Sequence, residues 1–271
     1  MELVIMGTAA AEGWPAVWCR CQYCQEARRR GGRDVRTRAG AVVDGVLKID
    51  FGPDTYMQAL QQGIDLTRLE HLIVTHAHGD HFAPGDLALR GTVYAHGLEH
   101  DLTVWAGDQA LAMARQALAV ERTTGVVLRR VRPFEPFAAG DFRITPLLAD
   151  HNPLETCYLY LIERGGRRLL WGLDTDLFPE ETWAYLANRS PLHAVVLDCT
   201  NGPLTFRGGH MGIGEVVAVR RRMLARGIAT PETRFVATHF SHNGGLLHAE
   251  LEERLCPEGF AVAYDGMRVQ I

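Results

Sequence analysis

Short apolar runs separated by turn residues occur along most of the chain. Two pairs of runs predict β-hairpins, 41–49 around Asp44-Gly45 and 158–173 around Gly165-Gly166, because both dipeptides tolerate the positive φ angles of tight turns. Helices are predicted over the Ala-rich stretch 106–121 and the amphipathic stretch 213–226. Further apolar runs predict strands at 3–6, 72–74, 142–148, 193–198, 234–238 and 260–264. The chain therefore mixes helices and strands, which excludes an all-helical fold.

Composition limits the possible classes of partner. With 271 residues and 47% hydrophobic content, the chain can bury a full core, and we expect one domain over 1–271. The net charge of −4 gives no general attraction to nucleic acid or to an anionic membrane. No apolar stretch reaches the length of a bilayer span, and the N-terminus lacks the basic region of a signal peptide. We therefore expect a cytoplasmic protein without nucleic-acid or membrane partners.

One stretch is rich in arginine. We expect it to form a solvated face or loop, in preference to a nucleic-acid site, because the overall charge is acidic. Its members are Arg28, Arg29, Arg30, Arg33, Arg36 and Arg38.

The segment Thr75-His76-Ala77-His78-Gly79-Asp80-His81 directly follows an apolar run and carries the clearest chemistry. In an extended turn, His76 and His78 project to one side, while Asp80 and His81 can turn toward a second point. Imidazole and carboxylate donors suit zinc, manganese or iron, and two adjacent ions would activate one bridging water. The segment predicts a metal site and not a His-rich surface loop, since grouping four such side chains brings no packing benefit.

Two metal ions need more donors than one loop supplies, so His and Asp residues that follow other predicted strands are candidates. His151, Asp174 and His239 each have this position. Singly, each also fits an ordinary polar residue at a strand end. Together with the first segment they make seven suitable donors, and Asp174 is the natural bridge because an aspartate can place one oxygen on each ion.

The cluster Cys19-x-Cys21-x-x-Cys24 predicts a second, closed site. Three thiolates can occupy three corners of a tetrahedral zinc, and His242, three residues beyond His239, is the expected fourth ligand. Such a structural zinc would organise an N-terminal loop at about 14–30. Free thiols in a cytoplasmic protein are the alternative.

The remaining cysteines and two of the histidines have no predicted role in a site. Cys157 and Cys199 are expected in the core, and the sequence predicts nothing for Cys256. His96 and His100 are expected to be ordinary surface or structural groups.

The order of these motifs resembles the metallo-β-lactamase superfamily, which implies an α+β fold: a four-layer αβ/βα sandwich with two central mixed β-sheets flanked by helices. Within it, the chain is similar to the PhnP family of phosphodiesterases, which act on 5-phosphoribosyl 1,2-cyclic phosphate in the carbon–phosphorus lyase pathway. The chain departs from that family at Ala9-Ala10-Ala11 and in the length of segment 92–137. The matching stretches are Gly7-Thr8, Gly13-x-Pro15, the thiolate cluster, Thr238-His239-x-Ser241-His242, Gly259-Phe260 and Asp265-Gly266-Met267.

The resemblance implies roles for individual residues. His210 would face the phosphate and stabilise or protonate the leaving oxygen, and Asp50 would orient metal ligands through hydrogen bonds. Together with His210, Asp80 and Asp174 are the catalytic candidates. The implied ligand sets are His76, His78 and His151 for one divalent ion, and Asp80, His81 and His239 for the other, with Asp174 bridging.

Other functions remain open from the sequence. A protein similar to PqqB of quinone-cofactor biosynthesis would share the fold and the thiolate zinc, but is expected to have an altered catalytic metal set. A tRNase Z type of enzyme is disfavoured by the acidic charge. A non-catalytic metal-binding module is a third class. We expect a small phosphodiester substrate, active-site zinc or manganese, and a possible homodimer.

Overall fold

The computed structural model describes residues 1–91, 93–120, 124–189, 191–206 and 208–271. Within these ranges the chain forms fourteen strands and six α-helices. The strands are β1 (Glu2–Gly7), β2 (Gly40–Val43), β3 (Leu47–Ile49), β4 (His71–Ile73), β5 (Leu102–Ala106), β6 (Val126–Arg130), β7 (Phe137–Ala139), β8 (Phe142–Leu148), β9 (Tyr158–Arg164), β10 (Arg167–Gly172), β11 (Leu192–Asp198), β12 (Ala229–Thr238), β13 (Phe260–Val262) and β14 (Met267–Gln270). The helices are α1 (Gln22–Arg30), α2 (Thr55–Gln62), α3 (Asp108–Val120), α4 (Glu180–Ala187), α5 (Ile213–Ala225) and α6 (His248–Leu255).

The strands form two mixed seven-stranded sheets. The first has the order β14-β1-β2-β3-β4-β5-β6 and the second β13-β12-β11-β10-β9-β8-β7. In each sheet four neighbouring strands are parallel, β3 to β6 in the first and β10 to β13 in the second. Both predicted hairpins are present, as β2–β3 and β9–β10. Their turns have positive φ angles at Asp44-Gly45 and Gly165-Gly166, as expected.

The core is divided into three layers of apolar contact. Between the sheets, inward side chains such as Ile49 and Ile73 of the first sheet pack with Trp171 and Val196 of the second. A second cluster joins the outer face of the first sheet to α2 and α3, and a third joins the outer face of the second sheet to α4, α5 and α6. This arrangement confirms the four-layer αβ/βα sandwich.

The described part of segment 92–137 contains β5 and β6, which lie at the edge of the first sheet, and helix α3. The helix predicted over 106–121 is α3, Asp108–Val120, and residues 92 and 121–123 lie outside the described residues. His96 is exposed, and Nε2 of His100 lies 3.1 Å from the carbonyl oxygen of Leu69, so neither joins a donor cluster. Within the described ranges, none of the helices has the length and apolar character that crossing a membrane requires.

The arginine-rich stretch is solvated only in part. Arg28–Arg30 and Arg33 are exposed, but Arg36 is 2% exposed. Its guanidinium donates to the hydroxyl of Thr8 at 2.9 Å and to the carbonyl of Ala263 at 2.6 Å, and it lies 2.9 Å from Nδ1 of His248. The predicted solvated face is therefore wrong for Arg36, because distant segments close over it with hydrogen-bond acceptors.

Lys48, the single lysine of the sequence, is also buried. Its Nζ donates to the carbonyl oxygens of Ile49 at 3.0 Å and Asp50 at 2.6 Å. Burial lowers the pKa of Lys48 from 10.5 to about 7, although the charge of Asp50 opposes this shift.

Lys48→Met is expected to remove a pH dependence of stability. Between pH 7 and 10 the unfolded chain binds a proton at Lys48 that the folded chain does not, so the free energy of unfolding of the wild type gains up to about 1.4 kcal/mol per pH unit from this residue. Urea unfolding of both proteins across this window measures the difference in slope. Lysine-selective isotope labelling gives one side-chain NMR signal, and its titration near pH 10.5 would contradict the prediction.

Candidate metal centre and active site

Three histidines from two loops form one donor group at the strand ends. His76 and His78 lie in the loop after β4, and His151 lies in the loop after β8. Nδ1 of His78 is 3.1 Å from Nε2 of His151, and the ligand atoms of the three residues lie within 4.8 Å of one another. The three rings therefore face one point, where they could hold a metal ion.

Asp80, His81, Asp174 and His239 form the second donor group. Nε2 of His81 lies 3.2 Å from Nε2 of His239 and 3.2 Å from Oδ2 of Asp80. The two oxygens of Asp174 are 3.0 Å from His81 Nε2 and 3.2 Å from His239 Nε2. Oδ2 of Asp174 is also 3.9 Å from Nε2 of His151 in the first group. Asp174 thus lies between the two groups, where a bridging carboxylate would be placed.

These residues fit two divalent cations. Nε2 of His76 and Oδ1 of Asp174 are buried without a hydrogen-bond partner among the described residues, which is costly unless a ligand completes them. Burial lowers the pKa of His76 and of His151, so both rings are neutral and can donate a lone pair. Burial would also lower the pKa of His81, but Asp174 and two other carboxylates raise it well above its usual value. Cations would offset this excess of negative charge.

Asp50 contacts the loop after β4, here called the metal-donor loop, which carries His76, His78, Asp80 and His81. It follows β3 with a φ of 57°, and its side chain is fully buried. Its carboxylate lies 2.7 Å from Nδ1 of His81 and accepts from the backbone N–H and hydroxyl of Thr75 at 2.8 and 2.9 Å. This leaves Nε2 of His81 facing the donor group. A Cβ on Gly52 would overlap the carbonyl oxygen of Asp80, so glycine is required where the two segments meet.

His210 lies beside the donor groups and pairs with Asp198. Its ring centroid is 4.8 Å from that of His151 and 5.4 Å from that of His239. Nδ1 donates to Oδ2 of Asp198 at 2.7 Å. Burial would lower the pKa of His210, but the carboxylate of Asp198 outweighs this effect and raises the pKa to about 9. His210 is therefore protonated at neutral pH.

Asp198 is a residue that the sequence analysis missed. It is the last residue of β11, so it had the strand-end position that pointed to Asp174. Asp174, Asp198, His210 and His239 also form a group of possible ligands. That group is no separate site, because it shares Asp174 and His239, and because Asp198 already accepts from the N–H and hydroxyl of Thr200 at 2.9 and 2.6 Å.

The predicted thiolate group also assembles. Nδ1 of His242 lies 3.9 Å from Sγ of Cys19 and 3.5 Å from Sγ of Cys21, and the ligand atoms of these residues and Cys24 lie within 4.8 Å of one another. Burial would raise the pKa of Cys21, but hydrogen bonds from the Cys24 backbone and His242 lower it to about 6. This group could hold one structural metal ion.

The other cysteines are not part of this cluster. Cys157 and Cys199 are buried in the core as expected, and Cys256 is exposed.

Comparisons with known proteins show the family of this chain. The beta-lactamase superfamily domain matches residues 46–266. The chain is 30% identical over 292 aligned positions to an octanoyltransferase of Porphyromonas gingivalis, covering all of this chain and 52% of that protein, so it spans about half the length of that relative. It is 26% identical to coenzyme PQQ synthesis protein B of Methylobacterium nodulans over the full length of both.

Two solved structures have the same fold at low sequence identity. A diphosphatase from the PhnP family has a TM-score of 0.78 and 23% identity, with 100% of this chain and 97% of that chain covered. Zinc-bound PqqB from Methylobacterium extorquens has a TM-score of 0.80 and 21% identity, with both chains fully covered. The domain match extends over most of the sequence, and the His/Asp cluster at the strand ends is typical of a two-metal site in this fold. The chain belongs to the metallo-β-lactamase superfamily.

Proposed function

We propose that this chain is a metal-dependent phosphodiesterase that hydrolyses a small phosphodiester, in particular a cyclic phosphate of ribose. The observation that carries the proposal is the His210–Asp198 pair, 2.7 Å apart, beside a complete set of seven donors. An acid group next to a two-cation site suits cleavage of a P–O bond whose leaving oxygen needs a proton. The similarity to a PhnP-family diphosphatase agrees with chemistry at phosphorus.

The proposed cofactors are two divalent cations, zinc or manganese, and one structural zinc. When bound at the active site, the pair supplies an activated water and neutralises charge on the phosphoryl group. One ion would be held by His76, His78 and His151. The other would be held by Asp80, His81 and His239, with Asp174 shared between the two ions.

The protein's own groups then set the geometry and move one proton. Asp50 fixes the ring of His81, so that Nε2 faces the donor group. His210 is protonated at neutral pH and gives its proton to the leaving oxygen through Nε2, since Nδ1 is held by Asp198. The carboxylate of Asp198 stabilises the imidazolium before the transfer and keeps the ring oriented.

The direct test is hydrolysis of a substrate panel by metal-loaded protein. The panel holds a cyclic ribose phosphodiester, bis(p-nitrophenyl) phosphate, a diphosphate-linked compound and a pre-tRNA. We expect turnover of the small phosphodiesters, and loss of it in Asp174→Ala because that variant lacks the shared carboxylate. Absence of turnover on every member, with both ions bound, would reject the proposal.

A role in quinone-cofactor biosynthesis is the second candidate. It is favoured by the full-length similarity to a PQQ synthesis protein B and to PqqB. A metal-loaded protein that fails on the whole panel but restores cofactor synthesis in a strain lacking that protein would support this alternative. The similarity to the octanoyltransferase covers only about half of that protein and does not support octanoyl transfer by this chain.

His210→Ala is expected to keep the metal content and to lower kcat on an alkyl phosphodiester by about 10²- to 10⁴-fold, the range for a positioned acid group. The loss should be much smaller with p-nitrophenolate as leaving group, which needs little protonation. His96→Ala, a change at an exposed histidine, is the control. Equal losses on both substrates would indicate electrostatic stabilisation, and no loss on either would remove His210 from the site.

Asp198→Asn is expected to move the alkaline limb of the pH–rate profile to lower pH. His210 acts in its protonated form, so the rate falls as pH rises through its pKa, which Asp198 raises to about 9. Without the carboxylate charge that pKa falls toward the usual value near 6.5. Profiles of kcat/KM for both proteins provide the measurement, and an unchanged limb would contradict the assignment.

Cys21→Ser is expected to reduce the metal content from about three ions to about two and to lower Tm by several degrees, because the closed site links the N-terminal loop to His242. In wild type, mild EDTA should remove two labile ions and leave one. Cys256→Ser, at an exposed cysteine, is the matched control. An unchanged metal count together with an unchanged Tm would show that the cluster binds nothing.

A further inference from the structure

Residues 152–158 make three contacts with the metal-donor loop. The backbone N–H of Tyr158 donates to the carbonyl of Thr75 at 3.0 Å. The carboxylate oxygen Oε2 of Glu155 accepts from the backbone N–H of Ala77 at 3.0 Å. The side-chain amide of Asn152 lies 3.2 Å from Nε2 of His78. Two of these contacts are made by side chains that have no assigned role in the site.

Glu155 and Asn152 also contact each other. Nδ2 of Asn152 donates to Oε1 of Glu155 at 3.2 Å, and Oδ1 of Asn152 accepts from the N–H of Leu154 at 3.0 Å, which closes a tight turn after His151. Both carboxylate oxygens of Glu155 are therefore engaged, one with the donor loop and one with the residue that follows His151. Glu155 joins the two loops that supply the three-histidine group.

Each ring of the three-histidine group needs a partner on the nitrogen that does not face the metal. Nδ1 of His151 donates to the carbonyl of Gly209 at 2.8 Å, and Nδ1 of His76 lies 3.0 Å from the hydroxyl of Thr75. His78 presents Nδ1 to the group, so its Nε2 carries the proton when a metal binds. The side-chain amide of Asn152, which also contacts Glu155, lies 3.2 Å from this nitrogen.

We propose that Glu155 is a positioning residue for the three-histidine metal site. Ala77, whose N–H it accepts, lies between His76 and His78, so fixing this one peptide fixes the spacing of both rings. Through Asn152 the same carboxylate also holds the turn after His151. This inference rests on the proposed metal site but not on the identity of the substrate.

The test measures metal affinity at one site at a time. In a His239→Ala background the three-histidine group is the remaining intact site of the pair, and in a His151→Ala background the other group remains. Zinc is titrated in competition with a chromophoric chelator after mild EDTA, which leaves the thiolate site filled. Glu155→Leu is expected to weaken zinc binding about 10- to 100-fold in the first background and by less than about threefold in the second.

Glu155→Gln should restore most of the affinity in the first background, because its amide oxygen can still accept from Ala77. Glu163→Leu is the control, since Glu163 lies on β9 and pairs with Arg143 at 3.5 Å. Should Glu155→Leu fail to fold, Asn152→Ala is expected to show a loss with the same preference for the first background. Equal losses in both backgrounds, or unchanged affinity in the first, would overturn the inference. Because turnover is not measured, failure of the phosphodiesterase proposal would leave this result unaffected.

Discussion

The buried carboxylate of Asp174 constrains the whole site. It is 2% exposed and contacts imidazoles of both donor groups, with 3.0 Å to His81 and 3.9 Å to His151. A buried carboxylate surrounded by neutral rings would be unstable without a positive partner. Protonation of His81 supplies part of that charge when no cation is present, and two divalent cations would supply it fully. The remaining contacts of the site keep the donors around this one group.

In each sheet, an aspartate at a strand end accepts hydrogen bonds from a threonine and from Nδ1 of a histidine. Asp50 at the end of β3 accepts from the N–H and hydroxyl of Thr75 and from Nδ1 of His81. An aspartate at the end of β11 likewise accepts from the N–H and hydroxyl of Thr200 and from Nδ1 of His210. Asp50 orients the imidazole of His81 toward the other metal donors, and Asp198 holds the protonated imidazole of His210 beside them. His81 is a member of the second donor group, whereas His210 is the acid in the proposed mechanism.

The thiolate group is linked to the same edge through a short loop. His239 belongs to the active-site donors, and His242, three residues later, belongs to the thiolate group. The hydroxyl of Ser241 donates to the carboxylate of Glu12 at 2.6 Å, which ties this loop to the N-terminal segment that carries the cysteines. A structural metal at the thiolate group would therefore limit the movement of His239.

The sequence alone predicted both hairpins, the strands that precede the donor residues, helices α3 and α5, and the donor chemistry, because hairpin turns, apolar runs and residues directly after strands are local features. It did not predict the strands β5, β6, β7 and β14 or the helices α1, α2, α4 and α6. It placed Asp174 and His239 correctly at strand ends. It did not identify Asp198 as the partner of His210, although Asp198 ends a strand as the candidate ligands do, because the sequence does not show that β11 lies beside β10 and β12. It also predicted a solvated position for Arg36, which is buried in the structure. Only the packing of segments far apart in sequence decides which charged groups are buried and which of them meet, because those contacts depend on how the two sheets pack together.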